Sequence, residues 1–191
     1  MLLVLAGSWL WWQSPTDLHL HALLRLDGAK AWARRVRLFT VAGTIPLVAP
    51  AIAAAAWWLW RRGAPDRARW LVATTLGGRL AVEIVKHVVH RPRPPLADRL
   101  AVETSWSMPS AHSAGTMIAG LALVLALGGG AGWQAVAALF ALAMGWSRVA
   151  LAVHWPSDVL VGWGFGLLWV ALALRWLQPR QFRSTSRKAS P

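Results

Sequence analysis

The apolar residues of this chain come in blocks. Residues 38–60, 70–89, 117–127, 133–153 and 159–177 carry few charges, and most of these stretches approach the roughly 20 residues that a helix needs to cross a bilayer. The third reaches that length if it starts near Ser110. The pattern predicts an all-α, polytopic transmembrane bundle of five spans, with no room for a separate water-soluble core. Residues 1–12 are apolar but short, and they lack the charged start and small-residue cleavage site of a cleaved signal. A short first span and an interfacial anchor both stay open for them. Residues 17–37 alternate apolar positions with His19, His21, Arg25, Lys30, Arg34 and Arg35, the pattern of an amphipathic helix lying on the bilayer surface. The expected organisation is one membrane-embedded domain over residues 1–177 and a basic, disordered tail over 178–191.

Composition sharpens this picture. Hydrophobic residues make up 57% of the chain and charged residues 14%, whereas about a quarter of a soluble domain is charged. The formal charge of +13 is spread over helix ends and short loops rather than one continuous stripe, which points to anionic lipid headgroups and away from nucleic acid. With no cysteine, disulfides, zinc–thiolate sites and thiol catalysis are excluded. Most of the 15 tryptophans sit near span ends, as belt or packing residues. Five spans would place the basic turn 61–69, the glycine hinge 128–132 and the basic tail on one face. The loop 89–106 and the turn 154–156 fall on the other. The positive-inside rule marks the first face as cytoplasmic, although the basic segment 17–37 lands on the far side.

Three polar clusters interrupt the apolar chain, all on that second face. In the first, Lys86, His87, His90, Arg91 and Arg93 are interleaved with Pro92 and Pro94, which stiffen the chain and fix where Arg93 points. The second runs from Ser107 to His112 at a span start. Free amides and the positive end of the helix dipole there suit a phosphate, Ser110 adds a donor, and His112 lies just inside. The third is Ser147-Arg148, then His154 and Asp158. Pro156 can open the last span and place Asp158 beneath His154, where a carboxylate fixes the imidazole tautomer and frees the other nitrogen to attack. Lys86, Arg93 and Arg148 are three cations that would hold a phosphate and the charge that develops during its transfer. Asp158 is the only acid in the three clusters, so no oxygen cage for a metal is expected, and no cofactor.

Lys86-x6-Arg93-Pro94, Pro109-Ser110-Ala111-His112 and Ser147-Arg148-x5-His154-x3-Asp158 resemble the three signature motifs of the type 2 phosphatidic acid phosphatase superfamily, with ten defined positions in order. The resemblance covers about residues 38–177. It implies a helical bundle and metal-independent hydrolysis of a lipid phosphate ester or anhydride. It further implies that His154 is the nucleophile, Asp158 its orienting partner and His112 the acid for the leaving group. Lys86, Arg93, Ser110 and Arg148 would bind phosphate. The middle motif most often has glycine at the position of Ala111, where alanine adds only a methyl group. The short length and residues 146–160 are similar to bacterial undecaprenyl pyrophosphate phosphatases, which often carry aspartate at that same position.

Other polar residues read differently. Arg79 and Glu83, four apart, suit a structural ion pair, with Glu83 also near enough to help place Lys86. His87 and His90 lack a third metal ligand. Gly162, Gly164 and Gly166 suit close helix packing. Arg91 fits a spare phosphate contact and a solvated loop charge equally, and Glu103 and Trp106 lie beside the site. A transporter or channel has no use for the His154–Asp158 pair. A lipid phosphotransferase would share every residue named, and the lipid itself is left open among polyprenyl diphosphate, phosphatidate and phosphatidylglycerol phosphate.

Overall fold

The computed structural model describes residues 14–26 and 30–186, and every described regular element is helical. The elements are α1 (Pro15–Leu24), α2 (Lys30–Val41), α3 (Ile45–Arg61), α4 (Pro65–Val89), α5 (Ala111–Ala126), α6 (Ala131–Ala150) and α7 (Pro156–Ser186). A short 3-10 helix, Leu96–Asp98, interrupts the α4–α5 loop. The first twelve residues, with their choice between span and anchor, lie outside the described ones.

Each apolar block contains a helix, with two differences from the expected bounds. The block 38–60 is broken between Val41 and Ile45, where Gly43 passes close to its neighbours. A Cβ on Gly43 would lie 2.9 Å from Met144 Sδ and 3.2 Å from His112 Cδ2, so a larger residue there would have to displace those side chains. The segment 17–37 is not one surface helix. It splits into α1 and α2, and α1 turns Asp17 and His21 inward while exposing Leu18 and Leu23. Two helical stretches, Trp32–Arg61 and Pro156–Arg175, are long and apolar enough by themselves to cross a bilayer, and Ala111–Ala126 is apolar but shorter. α7 continues through Ser186, into the region where the sequence suggests a tail.

α5 occupies the middle, touching α3, α4, α6 and α7. Small residues allow this. Ala114, Ala119, Ala122 and Ala126 are buried along it, and α7 approaches through Gly162 and Gly166. A Cβ added to Gly162 would fall 2.9 Å from Ser110 O, and one added to Gly166 would fall 2.8 Å from Met117 Cβ, whereas Gly164 faces open space and does no packing. Three indoles then tie helices to backbone: Trp70 Nε1 donates to Ala173 O, Trp163 Nε1 to Ala141 O and Trp169 Nε1 to Thr74 O, each at 2.9 Å. The outer surface is apolar. On α4 the i, i+4 series Leu76, Leu80, Ile84 and Val88 faces outward, which suits hydrocarbon and not water. At the α3–α4 turn, Arg61, Arg62 and Arg69 lie over Trp57, Trp58 and Trp60 at 5.8, 5.0 and 5.2 Å.

Alternating helix directions bring the end of α4, the start of α5, the end of α6 and the start of α7 to one end of the bundle. Backbone bonds lock these ends together: Ser107 N to Arg91 O (2.9 Å), Ser110 N to Asp158 O (3.0 Å) and Leu100 N to Leu151 O (2.9 Å).

Candidate active site

The start of α7 sets the central pair. Pro156 opens the helix, so Asp158 is its third residue, and its Oδ2 reaches back to accept from Trp155 N at 2.9 Å. This is the reciprocal bond of a capping box, made here by aspartate. The same Oδ2 accepts from Ser107 Oγ at 2.5 Å and lies 3.4 Å from His154 Nδ1. On the other edge of the ring, Arg93 Nη1 lies 3.0 Å from His154 Nε2. A guanidinium can only donate, so Nε2 accepts and the ring proton belongs on Nδ1, toward Asp158. Burial holds His154 well below the ordinary histidine value, and the nearby charges of Arg93, Arg148 and Lys86 and the ring of His112 push the same way. Burial and the donated Arg93 contact both favour a neutral imidazole with its lone pair on Nε2.

The expected cations surround that ring. Arg93 is fixed from both sides, donating through Nε to Ser105 O at 2.6 Å and through Nη1 to Val153 O at 2.8 Å. Lys86 does not snorkel outward. It is buried on the inner stripe of α4, and its Nζ donates to Ser105 Oγ at 3.0 Å and Trp106 O at 2.8 Å. Arg148, buried near the end of α6, pairs with Glu103, whose other oxygen is 3.7 Å from Arg93. Ser110 is the N-cap of α5, with its Oγ 3.4 Å from Ser113 N, and His112 follows in the first turn. Lys86, Arg93, Ser110, His112, Arg148, His154 and Asp158 thus gather at one end of the bundle.

Four other residues complete the arrangement. Ser105 and Ser107 position the cations and Asp158. Arg91 is neither a spare phosphate contact nor a solvated charge. It is 1% exposed and joins two carboxylates, donating to Asp158 Oδ1 at 2.7 Å and Asp17 Oδ2 at 2.6 Å. Asp17 comes from α1, 140 residues away from the Ser157 whose backbone N–H it accepts at 3.0 Å. A long-range partner of this kind leaves no local spacing to read. The ordering of α1 by Ser14 and Pro15 is legible, but not its docking site. Elsewhere the expected Arg79–Glu83 pair forms at 2.8 Å. His87 Nδ1 lies 2.8 Å from Glu83 O, and His90 packs edge-on against Trp106. Among the described residues, no three His, Asp or Glu side chains are grouped as metal ligands would be.

Known proteins share the family and the fold of this chain. The family model of the PAP2 superfamily matches residues 67–182. A decaprenylphosphoryl-5-phosphoribose phosphatase of Mycobacterium tuberculosis is 32% identical over 144 residues, which cover 75% of this chain and 64% of that relative. The match therefore spans less than two thirds of the relative's length. Two crystal structures share the fold. A transmembrane PAP2 type phosphatidylglycerolphosphate phosphatase from Bacillus subtilis superposes with a TM-score of 0.82 at 22% identity, covering 93% of this chain and 94% of its own. Aquifex aeolicus LpxE gives 0.70 at 20%, covering 86% and 98%.

Proposed function

The chain belongs to the PAP2 superfamily, and from that premise we propose that it is an integral membrane phosphatase that removes phosphate from a lipid through a phosphohistidine on His154. The observation that carries this reading is the imidazole itself. A neutral ring has its Nε2 lone pair turned toward Arg93 and its Nδ1 toward a fixed carboxylate. Lys86, Arg93 and Arg148, with Ser110 and the first amides of α5, hold the non-bridging oxygens of the phosphoryl group. Nε2 attacks phosphorus as the bond to the leaving oxygen breaks, and His112 supplies that oxygen with a proton. Asp158 stabilises the positive ring that results. Water then attacks the phosphorus, giving a proton back to His112 as the P–N bond breaks.

The apolar outer surface and the two long apolar helices support an embedded bundle of five spans. The basic α3–α4 turn supports an active end facing away from the cytoplasm of a cell membrane. The named relatives act on a polyprenyl-linked sugar phosphate and on a glycerolipid phosphate, so a phosphate monoester or diphosphate on either lipid type is the substrate class we assign. The reaction needs no metal, because cations of the chain take that role.

Quenching the enzyme in alkali during turnover of labelled lipid phosphate should trap acid-labile label on the protein. His154→Ala should trap none and turn over nothing. Label on a serine, or label retained in that variant, would refute the assignment. Full activity is expected in EDTA; inactivation reversed by magnesium would refute the metal-free route.

A further inference from the structure

We infer that Asp17 and Arg91 are positioning residues for the His154–Asp158 pair, so that α1, which lies outside the matched family region, is part of the catalytic apparatus. This rests on the reading above. Asp17, Arg91, Ser157 and Asp158 are each at most 4% exposed, and they form one closed network. Arg91 Nη1 donates to Asp158 Oδ1 and to Ser157 Oγ at 2.6 Å, while its Nη2 donates to Asp17 Oδ2. Asp17 also accepts from Ser157 N and, at 2.7 Å, from Ser157 Oγ. Trp155, the residue before α7, has no side-chain acceptor for the first free amides of the helix. Asp17 supplies one from another part of the chain.

Charge accounting shows why a second carboxylate is needed. Asp158 must hold a negative charge against the ring that becomes positive when Nε2 bonds to phosphorus. Alone with Arg91 it would belong to a neutral pair, its charge directed backward to the guanidinium. With Asp17 on the far side, the three groups sum to one negative charge. Asp17 takes up the Arg91 charge, and Asp158 Oδ2 is left to His154, Ser107 and the Trp155 amide. Arg91 meanwhile fixes Oδ1, so the carboxylate cannot rotate. Neither Asp17 nor Arg91 touches the phosphate-binding cations, so their effect belongs in the chemical step and not in substrate binding.

Further contacts dock α1 without entering this network. Arg25 pairs with the half-exposed Asp98 at 3.1 Å, Leu26 N donates to Ala150 O, and the His21 ring packs on Trp155 at 4.9 Å. They allow a charge effect to be separated from loosening of the helix.

The test measures kcat and KM on p-nitrophenyl phosphate and on phosphatidate in detergent. Asp17→Asn keeps the size and the acceptor oxygen but removes the charge; kcat should fall about tenfold on both substrates, with KM within about twofold. Arg91→Gln leaves two buried carboxylates facing each other, and kcat should fall about a hundredfold. In the double variant the unbalanced charges disappear together, so its loss should be smaller than that of Arg91→Gln alone, against the roughly thousandfold that independent effects would give. Asp98→Asn, which weakens the docking of α1 only, should keep kcat within about twofold. Should Asp17→Asn fail to accumulate, Arg91→Lys decides, since it keeps the charge without the two-ended fork and must lower kcat at unchanged KM. Losses that multiply, a loss in KM alone, or an equal loss in Asp98→Asn would overturn the inference. An inactive His154→Ala beside a fully active Asp17→Asn would overturn it while leaving the phosphohistidine reading intact, and trapped label in His154→Ala would remove that reading instead.

Discussion

Glu103 holds its carboxylate against Arg148 and within reach of Arg93, which is where the proposed mechanism places the phosphoryl oxygens. An anion of the protein therefore stands in for the substrate and must be displaced by it. Glu103→Gln removes the competing charge yet can still hydrogen-bond to Arg148. Steady-state kinetics should show KM for a lipid phosphate falling about fivefold, with inorganic phosphate a correspondingly stronger inhibitor. A rise in KM would mean that Glu103 chiefly holds Arg148 in place. The histidine makes a second prediction. Because His154 in the free enzyme is held below the ordinary value of 6.5, its reactive neutral form persists as pH falls through that value. The acid limb of kcat/KM should therefore lie below pH 6.5, measured on p-nitrophenyl phosphate. The same depression has an opposite sign for stability: the unfolded chain binds that proton more readily, so folding weakens as pH drops below the unfolded value. At this scale the sequence is legible wherever partners are near in the chain. His154 and Asp158 sit one turn apart beside a proline that begins a helix, and their relation follows from spacing. Arg91 looks like any loop arginine until the fold brings Asp17 to it.

The helices follow from the apolar blocks, and their close approaches follow from particular glycines. A Cβ at Gly162 would press on the backbone oxygen of Ser110 at 2.9 Å, and backbone cannot rotate aside as a side chain can. Gly162→Ala should lower stability by about 1–3 kcal/mol in thermal unfolding and reduce turnover, since α5 would shift at its N-cap, two residues before His112. Gly164→Ala, two positions on and facing open space, should leave both nearly unchanged. Equal losses at the two positions would mean that the contact with Ser110 is not their cause, since helix propensity alone favours alanine over glycine. A Gly-x-Gly-x-Gly run announces packing without saying which members pack, because only the neighbouring helix decides. The break after Val41 does have local signals, masked by the apolar run around them: Gly43 interrupts the helix, Thr44 takes the N-cap position of α3 and Pro46 lies in its first turn.

For the whole molecule, sidedness is the expectation that most needs a measurement. The chain has no cysteine, so Ala97→Cys and Ser186→Cys give single labels at the two ends of the bundle. In intact cells a membrane-impermeant thiol reagent should reach position 97 and spare 186; the reverse pattern would invert the topology. The alternation of apolar blocks makes this geometry legible, since helices that run back and forth must collect alternate connections at opposite ends. What the blocks do not convey is how α1 closes over one of those ends.

The paired tryptophans and arginines of the α3–α4 turn have a consequence at the opposite pole of the molecule. Trp57, Trp58 and Trp60, each under an arginine, have the composition of an anchor at the water boundary, and in an embedded bundle they would hold this end at a set height. His154, the proposed nucleophile, stands at the other end, separated from the anchor by the fixed length of the 25-residue α4. Bilayer thickness then decides where His154 meets the plane of lipid phosphates. A thick membrane draws the catalytic end down among acyl chains, and a thin one lifts it above the headgroups it must reach, at a cost of a fraction of a kcal/mol for each ångström of mismatch. In vesicles of phosphatidylcholines with short, intermediate and long chains, turnover of one lipid phosphate should peak at the intermediate thickness and decline on both sides. A rate indifferent to thickness would show that the tryptophan anchor yields before the active end does.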